Sequence, residues 1–160
     1  MAAGCRVVFN HIPKLVGAAP KVMDKAIRAV AVALKEEASN NIQQVGAIDT
    51  GAMKNSLYVE TSLGSERQRA IGAAIAAGAS GSKKGKGKGK PRKVPIASNV
   101  PIQKGEAKVA LAVEYAIYVE LGTHRMGARP FLSPAVESIK AGPMETIAGR
   151  VVEDELKKLA

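Results

Sequence analysis

AVEYAIYVELGTHRMGARPFLSPAVE, residues 112–137, is the stretch from which the rest of the chain can be read. Val109, Leu111 and Val113 alternate into it as a half-buried strand does, so residues 108–113 are expected to be extended. Tyr115 to Leu121 then closes that strand as a short helical turn or prolongs it. Past Gly122-Thr123, the segment Arg129-Pro130-Phe131-Leu132 leads into a helix, with Ser133 as its expected N-cap and Pro134 as its first helical residue. Val136, Ile139, Met144, Ile147, Val151, Val152, Leu156 and Leu159 carry the helix towards the C-terminus. Pro143, after Gly142, removes one helical hydrogen bond, and a kink or break is expected there.

Upstream, residues 20–44 read as an amphipathic helix. Met23, Ile27, Val30, Leu34, Ala38 and Ile42 recur at spacings of three and four and form one stripe. Pro20 suits the first helical turn, and Gly46 is the expected stop. Asp49-Thr50-Gly51 makes a turn, with side-chain oxygens for nearby N–H groups and a glycine for positive φ. Leu57, Val59, Thr61 and Leu63 alternate as a strand, and residues 69–76 read as its hairpin partner across residues 64–68. From Gly78 the chain runs GASGSKKGKGKGKPRK, with no core-forming residue after Ala79. Residues 78–105 therefore read as a flexible insertion between strands. The expected architecture is one α+β domain over residues 1–160 with an N-terminal arm, residues 1–19. An N-terminal helix, a small mainly antiparallel sheet and a long C-terminal helix on the same sheet face complete it.

Composition narrows the classes. Aromatic residues make up 3% of the 160 residues and Trp is absent, so the core must come from Val, Ile, Leu, Ala and Met. Such a core buries less area per side chain, which makes the isolated chain marginal and favours oligomerisation. The net charge is +10, yet Lys83, Lys84, Lys86, Lys88, Lys90, Arg92 and Lys93 supply most of it within residues 83–93. The high pI thus belongs to one segment rather than to the fold. Cys5 is the only cysteine, which excludes an intrachain disulfide and a thiol metal cluster and suits a reducing compartment. Arg6 and His11 interrupt the apolar N-terminal residues, so no signal peptide is expected. No apolar run reaches membrane-spanning length.

The glycine–lysine run is not a phosphate loop: Gly85-Lys86 is followed by Gly87 and not by Ser or Thr. As a flexible polycation it can neutralise phosphates without reading sequence, bind an acidic protein, or simply stay solvated. No aromatic interleaves with its lysines to stack on bases. Glu120, His124, Arg125 and Arg129 are the only cluster suggestive of acid–base chemistry, and no nucleophile completes it. A Glu–Arg pair holding the loop 122–131 is the expected use. Neither an enzyme, a metal site nor a cofactor is expected.

Two blocks resemble a known family. Asp49-Thr50-Gly51-x-x-Lys54-x-Ser56-Leu57 is similar to its first conserved segment. Tyr115-Ala116-x-Tyr118-Val119-Glu120-x-Gly122-Thr123, with Arg129-Pro130-Phe131-Leu132-x-Pro134-Ala135, is similar to its second. They occur in family order, with a helix before the first and after the second. The family is the gene-product-ten-like phage morphogenesis proteins, the tail-completion or head–tail joining proteins. The resemblance implies a structural protein of the virion neck and tail, made in the host bacterial cytoplasm. It implies a closed, hexameric homo-oligomeric ring that caps the tail tube and meets neck, connector and tail-tube proteins; if the lysine-rich run points inward, it would meet genomic DNA in the lumen. Asp49, Thr50, Gly51, Ser56, Tyr115, Tyr118, Glu120, Gly122, Thr123, Arg129, Pro130, Phe131 and Pro134 are then structural or interface positions. Tyr115, Tyr118 and Phe131 either pack the strand–helix junction or also reach a subunit interface. The rival reading is a basic nucleic-acid-binding module acting through residues 83–93.

Overall fold

The computed structural model describes residues 12–46, 51–80 and 102–159. Along the chain these form α1 (Ile12–Gln44), α2 (Ala52–Asn55), β1 (Leu57–Thr61), β2 (Gly64–Ser65), α3 (Arg67–Ser80), β3 (Ala107–Leu111), α4 (Ala116–Leu121), α5 (Leu132–Lys140) and α6 (Pro143–Leu159). The sheet is antiparallel in the order β2-β1-β3. The α+β class read from the sequence is the one observed.

β1 is the organising strand. It pairs with β3 from Leu57↔Leu111 to Thr61↔Ala107, and Ala112 N–H extends the ladder to the Ser56 carbonyl at 2.9 Å. Both its faces are covered, because Leu57, Tyr58 and Val59 are all buried. Leu57 packs with Ala38 of α1 and Ala135 of α5, whereas Tyr58 packs with Ala70 of α3 and Ala112. On the Tyr58 side, Lys108 pairs with Glu60 at 2.8 Å and rides over the Tyr58 ring. A third cluster closes the end of the sheet. Ile42, Met53, Ala74, Val113, Ala116 and Phe131 meet there, bringing together four helices and the residues flanking α4 and α5.

Several expectations are corrected. α1 starts at Ile12, so residues 12–19 of the expected arm are helical and Pro20 sits inside the helix. Proline there frees the Val16 carbonyl, and Val16 is exposed, so water can satisfy it. Residues 69–76 are not a strand but the middle of α3. Alanine has the highest helix propensity, and Ala70 and Ala74, four apart, form the buried face. The hairpin partner of β1 is only Gly64–Ser65, joined through the two residues Ser62 and Leu63. β3 stops at Leu111 rather than 113, and Tyr115 to Leu121 resolves into the helix α4. The break before Pro143 is as expected, but only α5 reaches the sheet-face cluster, while α6 packs along α1. Of the expected insertion, 78–80 finish α3 and 102–105 are described. Lys83, Lys84, Lys86, Lys88, Lys90, Arg92 and Lys93 lie outside the described residues, as do Asp49 and Thr50.

Candidate functional site: a glutamate clasp and an exposed apolar face

An α-helix begins with four N–H groups that have no partner inside it. In α5 these belong to Phe131, the N-cap residue, and to Leu132, Ser133 and Pro134. The Glu120 carboxylate, on the neighbouring helix α4, takes three of them. Phe131 N–H donates at 2.8 Å, Leu132 N–H at 3.0 Å and Ser133 N–H at 2.9 Å, and the Ser133 hydroxyl donates at 2.6 Å. The fourth position is Pro134, which has no N–H to leave orphaned. Every donor at the start of α5 is thereby accounted for by one carboxylate and one proline. The negative charge also sits at the positive end of the helix dipole. Burial pushes the Glu120 carboxyl up. The N–H groups and the hydroxyl outweigh it and hold the group below the usual glutamate value.

This corrects two readings. Ser133 is not the N-cap and Pro134 is not the first helical residue: the helix starts two residues earlier, at Leu132, and Ser133 points back to Glu120. Glu120 is bound to backbone N–H groups rather than to an arginine.

Gly122 makes the fold-back possible. Its φ of 77° and ψ of 177° suit glycine, and a Cβ there would lie 2.7 Å from Ala128 N and 3.0 Å from Met126 O. Beyond it Thr123 and Met126 exchange backbone hydrogen bonds at 2.8 and 3.2 Å. The Thr123 hydroxyl accepts from the N–H groups of Arg125 and Met126. Arg129 N–H then returns to the Val119 carbonyl at 2.9 Å. From α1, the Asn41 amide donates to the Phe131 carbonyl at 3.0 Å. Phe131, 1% exposed, is the largest fully buried side chain at this junction.

The first motif is equally local in its effect. Gly51, with φ of 74°, starts α2, and the buried Ser56 hydroxyl donates to the Met53 carbonyl at 2.7 Å before β1 begins. Together Gly51, Ser56, Glu120, Gly122, Thr123 and Phe131 hold backbone in place. Tyr115 is half-buried against the Phe131 cluster. Arg129 and Pro130 are exposed.

Tyr118 does not pack the junction. It is 58% exposed, beside Ile117 at 57% and Leu121 at 71%, and the three form one apolar face of α4. A second apolar surface was hidden in the α1 stripe. Ala38 and Ile42 are fully buried, but Met23, Ile27, Val30 and Leu34 line an open groove of about 390 Å³, with Met144 and Val152 of α6 opposite. No titratable group lines it.

His124 and Arg125 touch each other on the surface, with Arg125 Nε donating to His124 Nε2 at 3.1 Å. Among the described residues there is no cluster of His, Cys, Asp and Glu suited to a metal ion. None of the described helices is long and apolar enough to cross a membrane. Comparison of the chain with protein-family models, with curated proteins and with solved structures gives no match.

Proposed function

We propose that this protein is a structural component of a phage neck or tail, a tail-completion or head–tail joining protein that acts by assembling into a ring on the tail tube. The observation that carries the reading is the exposed Ile117-Tyr118-Leu121 face on a helix locked in place by the Glu120 clasp. A soluble chain of few aromatics that buries alanine and presents tyrosine and leucine on a rigid helix offers a surface suited to protein partners. The motif residues around that helix serve backbone geometry and not chemistry, which favours an assembly role over an enzymatic one. The resemblance of both sequence blocks to phage morphogenesis proteins supplies the kind of assembly. Light scattering across concentration, with and without tail tubes, tests it together with negative-stain imaging. Rings, or end-on binding to tubes, are expected; a strict monomer that never joins a tube would refute the proposal.

The charge of residues 83–93 favours a second activity on the same particle, contact with genomic DNA inside the ring. Replacing Lys83, Lys84, Lys86, Lys88, Lys90 and Lys93 with serine separates the alternatives. Altered DNA retention or ejection with normal head–tail joining is expected. Loss of joining with normal DNA behaviour would instead put an acidic protein partner on the run.

A further inference from the structure

We infer, building on the assembly reading above, that the apolar face of α4 on one copy seats in the α1–α6 groove of a second copy. The chain carries both halves of such a contact. One is convex, Ile117, Tyr118 and Leu121; the other is concave, lined by Met23, Val30 and Met144 among others. They cannot meet within one chain. Ile42 on α1 shares a cluster with Ala116 of α4, and Met23 lies about 28 Å further along α1 at about 1.5 Å per residue. A contact between two different surfaces of identical chains is heterologous, and only closure into a ring covers every copy of both.

Charge points to the same pairing. Beside the α4 face, Arg125 and Arg129 are exposed, and neither is in an ion pair among the described residues. Beside the groove, Glu106 adjoins Ala107 and Glu145 adjoins Met144, both exposed. Of the cations next to lining residues, Lys25, Lys35 and Lys108 are engaged by Glu155, Glu66 and Glu60, and Arg28, beside Ile27, is matched in number by Asp24 beside Met23. The groove is therefore edged mainly by carboxylates, Glu145 and Glu153 together with Glu106, which accepts from Gln103 N–H, and the α4 face mainly by Arg125 and Arg129, with Glu114 at its start; α4 against α4 would set arginine against arginine.

The test uses two variants of the full chain, each altered at exposed positions so that folding survives: Ile117→Glu/Leu121→Glu on the face, and Met23→Glu/Met144→Glu on the groove. Each alone should associate at least about tenfold more weakly than the unaltered chain, because a charge is forced into an apolar contact. Mixed in equal amounts they should form a one-to-one dimer that grows no further, since each partner supplies the half the other lacks. No recovery on mixing, or a groove variant that assembles normally, would overturn the pairing while leaving ring assembly intact. A groove variant that melts lower with unchanged mass would overturn it too, and would put the chain's own residues in the groove. An unaltered chain that stays monomeric even with tail tubes defeats the assembly reading itself.

Discussion

Replacing Glu120 with alanine tests the clasp directly, and its cost can be worked from the contacts. One side-chain N-cap contributes about 1 kcal/mol. Here a single carboxylate accepts from three backbone N–H groups and a hydroxyl, and bonds to an ionised acceptor contribute roughly 1.5–3 kcal/mol each when fully shielded. The site is only half-buried, so water recovers much of that, and about 2–3 kcal/mol should remain. In a domain of this size that lowers Tm by roughly 4–12 °C at fixed protein concentration. Glu120→Gln keeps one acceptor oxygen and should lose about half as much. The pH dependence has a definite sign. The folded carboxyl titrates below the ordinary glutamate value of 4.5, so its contribution is complete above that pH and disappears as pH falls through the lower, folded value. The gap between the unaltered chain and Glu120→Ala should therefore close on acidification. Denaturant titration of the three chains at neutral pH and near pH 3 measures all of this. A Glu120→Ala chain within about 0.5 kcal/mol of the unaltered one at neutral pH would refute the clasp as a stabilising element.

Phe131→Ala empties the centre of the junction cluster and should cost about 3–5 kcal/mol in chemical denaturation, as burial of an aromatic ring at 1% exposure requires. Gly122→Ala places a Cβ against the backbone of Ala128 in a region that only glycine tolerates. It should cost more than about 2 kcal/mol and increase amide exchange at Thr123 and Met126, whose hydrogen bonds depend on that turn.

The parts of the fold legible in the sequence are those where one physical signal acts alone. The three-and-four spacing from Met23 to Ile42 and the alternation from Leu57 to Thr61 each describe a single face. Pro143 breaks the C-terminal helix for a reason internal to the residue. The misread parts are those where two signals compete or the partner is remote. Residues 69–76 alternate weakly and are rich in alanine, and helix propensity wins, with Ala70 packed in one cluster with Tyr58 of β1 and Ala74 in another with Met53 of α2. Glu120 and the N-terminus of α5 are eleven residues apart in sequence from carboxylate to first donor, so no local capping signature announces them. Asn41, which lies outside the apolar stripe, carries the link from α1 to the Phe131 carbonyl. Periodicity located the α1 stripe but could not reveal that its N-terminal half lines an open groove with α6.

That open groove bears on why the chain would assemble at all. The positions with least exposure in the core are largely alanines: Ala38, Ala74, Ala112 and Ala135 are at 0%. Tyr118, Leu121, Met23 and Met144 stay 47–71% exposed. At about 25 cal/mol per Å² of apolar surface, an alanine core draws helices and sheet close together but gains little per residue. The larger gain remains available on α4 and along the α1–α6 groove. A monomer optimised for its own stability would place these side chains the other way round. At the α4 face the display is braced: the carboxylate clasp and the Gly122 turn hold α4, and the Asn41 bond ties the start of α5 to α1, without adding apolar burial there. Phe131, Ile42 and Val113 are large and fully buried, yet other large apolar residues stay outside, and under the proposed assembly it is association that would cover them. Under that proposal, stability and assembly would draw on the same surfaces, and the melting temperature would rise with protein concentration.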